Sequence, residues 1–158
     1  MDMLVKLYEL PPLEAEVARL SAAGIRLNRP LAPNAFQLLR WIETTFDAGW
    51  ASECSVTLGR QPVACWMAHR DGQILGFACY DATAKGMFGP MGVDETVRGH
   101  GLGRALLIAT LHDMASQGYA YAVIGGVGPA EFYTRTVGAT LIPDSTPAIY
   151  QWMLADGE

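Results

Sequence analysis

The stretch "VDETVRGHGLGRALL", Val93 to Leu107, decides how the chain is read. It sets Gly99, Gly101 and Gly103 at the point where an apolar helical pattern begins. Glycine costs about 1 kcal/mol against alanine inside a helix, so a helix start this rich in it needs a reason. A helix N-terminus leaves four backbone N–H groups without partners and carries roughly half a positive charge. A bare turn in front of it lets main-chain N–H groups close around an anion, and Arg98 and Arg104 flank this turn. The alternative is a glycine-rich turn kept only for tight strand–helix packing, and local sequence leaves both open.

Downstream of the glycines, Leu102, Leu106, Ala109 and Met114 recur at helical spacing and predict a helix over Gly101–Gln117, with Gly118 behind it. Upstream, Met87–Val93 reads as a strand made irregular by Gly89, Pro90 and Gly92, a place where a ladder parts and another group approaches the backbone. Before it, Val63–His69 and Gln73–Tyr80 read as two strands joined by an Asp71-Gly72 hairpin turn. After the long helix come a strand at Tyr119–Ile124, a helix at Ala130–Val137, and strands near Ala139–Ile142 and Ile149–Leu154. In the N-terminal third, Leu4–Leu10 reads as a short strand, Leu13–Ala23 as a helix and Ile25–Arg29 as a second strand. Asn34 is placed to cap a helix with Leu38, Leu39, Ile42 and Phe46 on its apolar face, ending at Gly49, and a helical turn is expected over Trp50–Leu58. Antiparallel strands followed by a strand–helix–strand unit give an α/β (α+β) domain around a central sheet.

At 158 residues, 51% of them apolar and 17% charged, the chain suits one globular domain spanning residues 1–158. No stretch approaches the ~20 apolar residues of a membrane helix, and Met-Asp-Met opens no secretory signal, so a cytoplasmic protein is expected, without membrane attachment. A net charge of -5 disfavours nucleic acid as a partner. Cys54, Cys65 and Cys79 lack C-x-x-C spacing and read as reduced, buried thiols; with His69 and His112 also lacking ligand-like company, no metal site is expected.

Two nucleotide fingerprints fail. Counting G-x-G-x-x-G from Gly99 and Gly101 meets Arg104 at the third position, and counting from Gly101 and Gly103 meets Leu106; a G-K-[ST] Walker loop is absent. What remains is R-x-x-G-x-G at Arg98, Gly101 and Gly103, which resembles the acyl-CoA pyrophosphate loop, [QR]-x-x-G-x-[GA], of the GNAT N-acetyltransferase superfamily. "FGPMGVDETV" is similar to that fold's fourth strand and the segment after it, and "YAYAVIGGVGPAEFYTRTVGA" to its fifth strand, the next helix and its tyrosine. The resemblance covers about residues 25 to 154, and residues 1–24 read as an added strand and helix on the sheet edge. It implies a mostly antiparallel mixed sheet with helices on both faces, strands four and five splayed, and acetyl-CoA in the gap as acyl donor. Backbone at Met91, Gly92 and Val93 would then hold the pantetheine arm and polarise the thioester carbonyl. Backbone of Arg98, Gly99, His100, Gly101, Leu102, Gly103 and Arg104 would hold the pyrophosphate.

Acetyl transfer to an amine needs a held donor, a neutral amine, oxyanion stabilisation and an acid for the departing thiolate. The resemblance gives that acid role to Tyr133 and the activity of an N-acetyltransferase working by direct transfer in a ternary complex. Relatives often carry a base carboxylate on the fourth strand, but Met87–Val93 has no Asp, Glu or His; Glu53 and Asp81 are the substitutes, with a bound water as a third option. Relatives also tend to have asparagine where Gly126 stands and alanine where Pro129 stands. Trp41 and Phe46 read as core and Trp50 as an open position on the acceptor side. The partner expected is a small-molecule amine, with a homodimer left open. An acyl-CoA binding or sensing module that has lost catalysis is the competing reading.

Overall fold

In the computed structural model, which describes residues 1–155, the hairpin is the organising element. Strands β3 (Cys65–Arg70) and β4 (Gln73–Tyr80) pair antiparallel, joined at Asp71 and Gly72, both with positive φ. Aspartate and glycine tolerate that left-handed turn, which follows the twist of the strands. β2 (Arg26–Asn28) adds to β3, and β5 (Met87–Val93) adds to β4, both antiparallel. β6 (Tyr121–Ile124) then runs parallel to β5, so a helix must carry the chain across, and α4 (Leu102–Ser116) does so.

The seven-stranded sheet has the order β2-β3-β4-β5-β6-β1-β7, with β1 at Met3–Lys6 and β7 at Thr140–Leu141. The N-terminal strand therefore does not lie on the sheet edge. It pairs antiparallel with β6 on one side and β7 on the other, bringing Met3 opposite both Ile124 and Leu141. Val5 is fully buried in this position, which explains why so short a strand holds.

Helices cover both faces. α4 is buried nearly all round, from Leu102 and Ala105 to Leu111, and forms the centre of one core with Leu20 of α1 (Glu14–Ala22). Each fully buried leucine or isoleucine contributes about 1.5–3 kcal/mol, so this helix is the main hydrophobic anchor. It sits so close to the sheet that a Cβ on Gly76 would come within 2.8 Å of Leu106. α5 (Ala130–Val137) joins this core through Tyr133 and Val137. On the other face, α2 (Ala35–Thr45) and α3 (Ala48–Leu58) bury Leu38, Ile42 and Cys54 against Cys65, Phe77 and Cys79. No helix among the described residues is long and apolar enough to cross a membrane.

Several local expectations are corrected. Leu4–Leu10 is strand only to Lys6, then a 3-10 turn over Leu7–Glu9. The second helix ends at Thr45 instead of Gly49, and Asn34 makes no capping bond. Trp50–Leu58 is most of a full helix, because Asp47 caps it by accepting from Trp50 N at 2.8 Å. Ile149–Leu154 is not a strand: Ala148–Trp152 is a 3-10 turn whose Tyr150 packs on Gly125, while β1 fills the slot beside β6.

Candidate active site

β5 and β6 pair only at Met87–Val123 and Phe88–Ile124. Beyond these pairs β5 runs on to Val93, while β6 ends at Ile124 and the backbone turns away at Gly125 and Gly126. Gly89 has φ 115 and Pro90 brings no N–H, so the local sequence gives the ladder no means to continue. A cleft of about 1460 Å³ opens where the strands part. Backbone groups exposed by such a parting need another partner.

The glycine loop forms one wall. Gly99 and Gly101 take positive φ (85 and 77), and α4 starts directly after them with Gly101, Leu102, Gly103 and Arg104 on the cleft. A Cβ on Gly103 would meet only Val93 at an ordinary 3.7 Å, whereas one on Gly101 would come within 2.6 Å of Arg19. Arg98 lines the cleft, and its Nε donates to the Val93 carbonyl at 3.2 Å. Met91 and Val93 line the cleft; Gly92 is buried on the other face, where a Cβ would strike the Phe46 ring.

Arg19 was not visible as a site residue in the sequence, since it lies on α1 in a segment without a motif. Its guanidinium donates to the carbonyls of His100 at 2.9 Å and Gly101 at 3.0 Å. In a planar trans peptide the N–H opposes the C=O, so these bonds leave the amides of Gly101 and Leu102 aimed away from α1. Glu16, also on α1, bonds both Arg19 and Arg104, the latter at 2.9 Å. Burial would raise the Glu16 carboxyl, but the hydrogen bonds from Arg19 and Arg104 outweigh it and hold it below its usual value. His100 is exposed and enters this arrangement through its carbonyl.

Tyr133 lines the cleft from α5, only 9% exposed, with Phe132 edge-on to it at 5.1 Å. Burial pushes its phenol above the ordinary value and so keeps it protonated. Glu53 lines the same cleft from α3 and accepts a hydrogen bond from the Thr83 hydroxyl. Asp81, the other carboxylate weighed as a base, is committed elsewhere: it accepts from Gly86 N at 2.7 Å and Tyr119 OH at 2.7 Å, and fastens the β4–β5 turn.

Two further groups emerge only in three dimensions. Tyr150 enters the cleft near the start of β5, so close to Gly125 that a Cβ there would lie 2.5 Å from its hydroxyl. Burial, then the Glu53 and Asp2 carboxylates, push its phenol up. Asp2 fixes the loop after β6 by accepting from Gly126 N at 2.9 Å, where relatives were expected to carry asparagine. Trp50 forms the aromatic wall of the cleft, stacked at a tilt on Phe46 at 5.1 Å, while Trp41 and Phe46 flank the second core. No local signal marks Tyr150 or Asp2; both depend on the ends of the chain folding back onto β6.

Solved structures share this architecture. The chain superimposes on the GCN5-related glucosamine N-acetyltransferase region of a fungal multi-domain GH3 β-N-acetylglucosaminidase with a TM-score of 0.70, at 16% identity over 86% of this chain and 19% of that one. A GCN5-related N-acetyltransferase from Sphaerobacter thermophilus gives 0.67 at 21% identity, over 89% of this chain and 47% of that one. A GNAT family acetyltransferase from Brucella melitensis, solved with acetyl-CoA, gives 0.56 at 20% identity, over 70% and 80%. The chain thus spans less than half the length of the first two. No curated protein matches the sequence. A family profile described as the acetyltransferase (GNAT) family matches residues 33–138. With the parted strands, the glycine loop at the helix start and the matched profile in agreement, the chain belongs to the acetyltransferase (GNAT) family, a family of acyltransferases whose acyl donor is acetyl-CoA.

Proposed function

We propose that the chain, as one domain over residues 1–158, moves an acetyl group from acetyl-CoA to a primary amine of a small acceptor by direct transfer in a ternary complex. The observation that carries this reading is the cleft between β5 and β6, which joins the glycine loop to the protonated phenol of Tyr133 in one continuous space. The donor supplies a thioester already activated for acyl transfer. Loop amides from Gly99 to Arg104 and the α4 N-terminus suit its diphosphate. Main chain at Met91 and Val93 suits its pantetheine arm.

In this reading Tyr133 gives its proton to the departing thiolate, and Glu53, oriented by Thr83, receives the proton that the amine loses. Glu53 and Asp47 line the cleft beside Trp50 and Tyr150, which favours a cationic acceptor that deprotonates on the enzyme. The cytoplasm suits the reaction, since it keeps three free thiols reduced.

The experiment is a screen of amines by release of free coenzyme A thiol, run beside a calorimetric titration with acetyl-CoA. Thiol release that depends on an amine supports the proposal. Tight binding of acetyl-CoA with no turnover of any amine would replace the enzyme by a binding module.

A further inference from the structure

The three cysteines of the chain come from three elements, Cys54 on α3, Cys65 on β3 and Cys79 on β4, and they meet at one point. Their sulfurs all lie within 4.8 Å of one another, with Cys54 and Cys65 3.9 Å apart. All three residues are fully buried free thiols. Leu38, Ile42, Met67 and Phe77 pack in the same cluster. The Thr57 hydroxyl approaches Cys79 at 3.8 Å, but it donates to the Cys54 carbonyl at 2.7 Å. Spacings of eleven and fourteen residues hide this convergence from any sequence pattern.

Three sulfur donors within 4.8 Å of one another invite a soft, thiophilic centre. Charge then selects among such centres, because an uncompensated charge in an apolar core is strongly disfavoured. Monovalent copper would leave a tri-thiolate with two net negative charges. Divalent zinc would leave one, and it asks for a fourth ligand. A trivalent thiophile alone takes three thiolates and leaves none.

We propose that Cys54, Cys65 and Cys79 form a tri-sulfur site for trivalent arsenic, delivered as arsenous acid. One arsenous acid condenses with three thiols. Three arsenic–oxygen and three sulfur–hydrogen bonds break, three arsenic–sulfur bonds form, and three waters leave. Arsenic stays trivalent and the sulfurs stay at the thiolate level, so no oxidant or reductant takes part. The condensation of three thiols with one arsenous acid adds no charge to the core. The site backs onto Trp41, Phe46 and Trp50, which pack against the same cluster, so occupancy is readable from tryptophan emission. Its occupancy is independent of whether the cleft transfers acetyl groups.

The test equilibrates the reduced protein of residues 1–158 with arsenite, free of small thiols, and reads it by native mass spectrometry and arsenic X-ray absorption. The expected result is a one-to-one adduct heavier by one arsenic and lighter by three hydrogens, with three sulfurs and no oxygen around the arsenic. Cys54→Ala, Cys65→Ala and Cys79→Ala should each give an adduct that retains one hydroxyl, so its mass gain exceeds the wild-type gain by one water. An oxygen-bearing adduct on the wild type, a tri-sulfur adduct surviving any single substitution, or no adduct after equilibration would each overturn the proposal. Retention of zinc in preference to arsenic in direct competition would overturn the charge argument. The absorption spectrum of the wild type decides the matter even where a variant fails to fold.

Discussion

Arg19 holds the glycine loop by its peptide oxygens: one guanidinium nitrogen lies 3.0 Å from the carbonyl of Gly101, and the other 2.9 Å from that of His100. A helix outside residues 33–138, the range matched to the family, thereby fixes the orientation of the amides proposed to receive the diphosphate. Replacing Arg19 by Met should weaken acetyl-CoA binding about tenfold, the equivalent of one to two hydrogen bonds. Arg19→Lys should recover part of the loss, and calorimetry on the three proteins checks the order.

Gly101 and Gly103 should respond unequally. Gly101→Ala forces a side chain into a left-handed backbone at a cost of roughly 1–2 kcal/mol and drives its Cβ into Arg19. Gly103→Ala meets only ordinary contact with Val93, and its stability should stay within about 0.5 kcal/mol of the parent. Thermal melts and acetyl-CoA titrations on the pair are the measurement; equal effects at both positions would refute this account of the loop.

Tyr133→Phe should lower kcat by about a hundredfold or more while leaving acetyl-CoA affinity nearly intact. The phenol is the acid, so activity requires its proton. Burial raises its pKa, so the loss of activity with rising pH should begin above about 10, the ordinary phenol value. That alkaline limb should vanish from the residual rate of the variant.

Glu16 should leave a mark at the other end of the pH scale. Its folded carboxyl titrates below its unfolded value, so its contribution is present above the unfolded pKa and is lost as pH falls through the folded one. Melting temperatures of the parent and Glu16→Gln should differ at neutral pH and converge in acid below the usual carboxylate range.

The bidentate pair of Arg29 and Asp113, at 2.7 and 2.8 Å, ties the end of β2 to α4, with Arg29 also 4.7 Å above the Trp66 ring. Asp113 is nearly buried, so Asp113→Ala strands a cation and should cost about 3–5 kcal/mol. Adding Arg29→Met should restore part of that loss in denaturant unfolding.

The elements legible in the sequence were those with a strong local cause. Period-two apolar runs and Asp71-Gly72 give the hairpin, apolar spacing with terminal glycines gives α4, and Gly89-Pro90 marks the parting of β5 from β6. The fold class and the family follow from these. What stayed hidden depends on distant partners. The strand read at Ile149–Leu154 had its slot taken by β1, and nothing near Tyr150 says so. Arg19 and Glu16 look like an ordinary exposed helix face until the loop, some eighty residues on, packs against them. Asp81 looked like a free carboxylate because its partners, Gly86 and Tyr119, are contributed by a turn and by the segment after α4.

Because β1 is wedged between β6 and β7, this strand has no neighbours until both of those later strands have left the ribosome. Met3 must wait for Ile124 and Leu141, so closure of the sheet is a late event in synthesis. A nascent polypeptide halted before β6 would hold an orphaned apolar strand, and a chaperone that shelters Met3–Lys6 would be shielding the last seam of this sheet to be sewn.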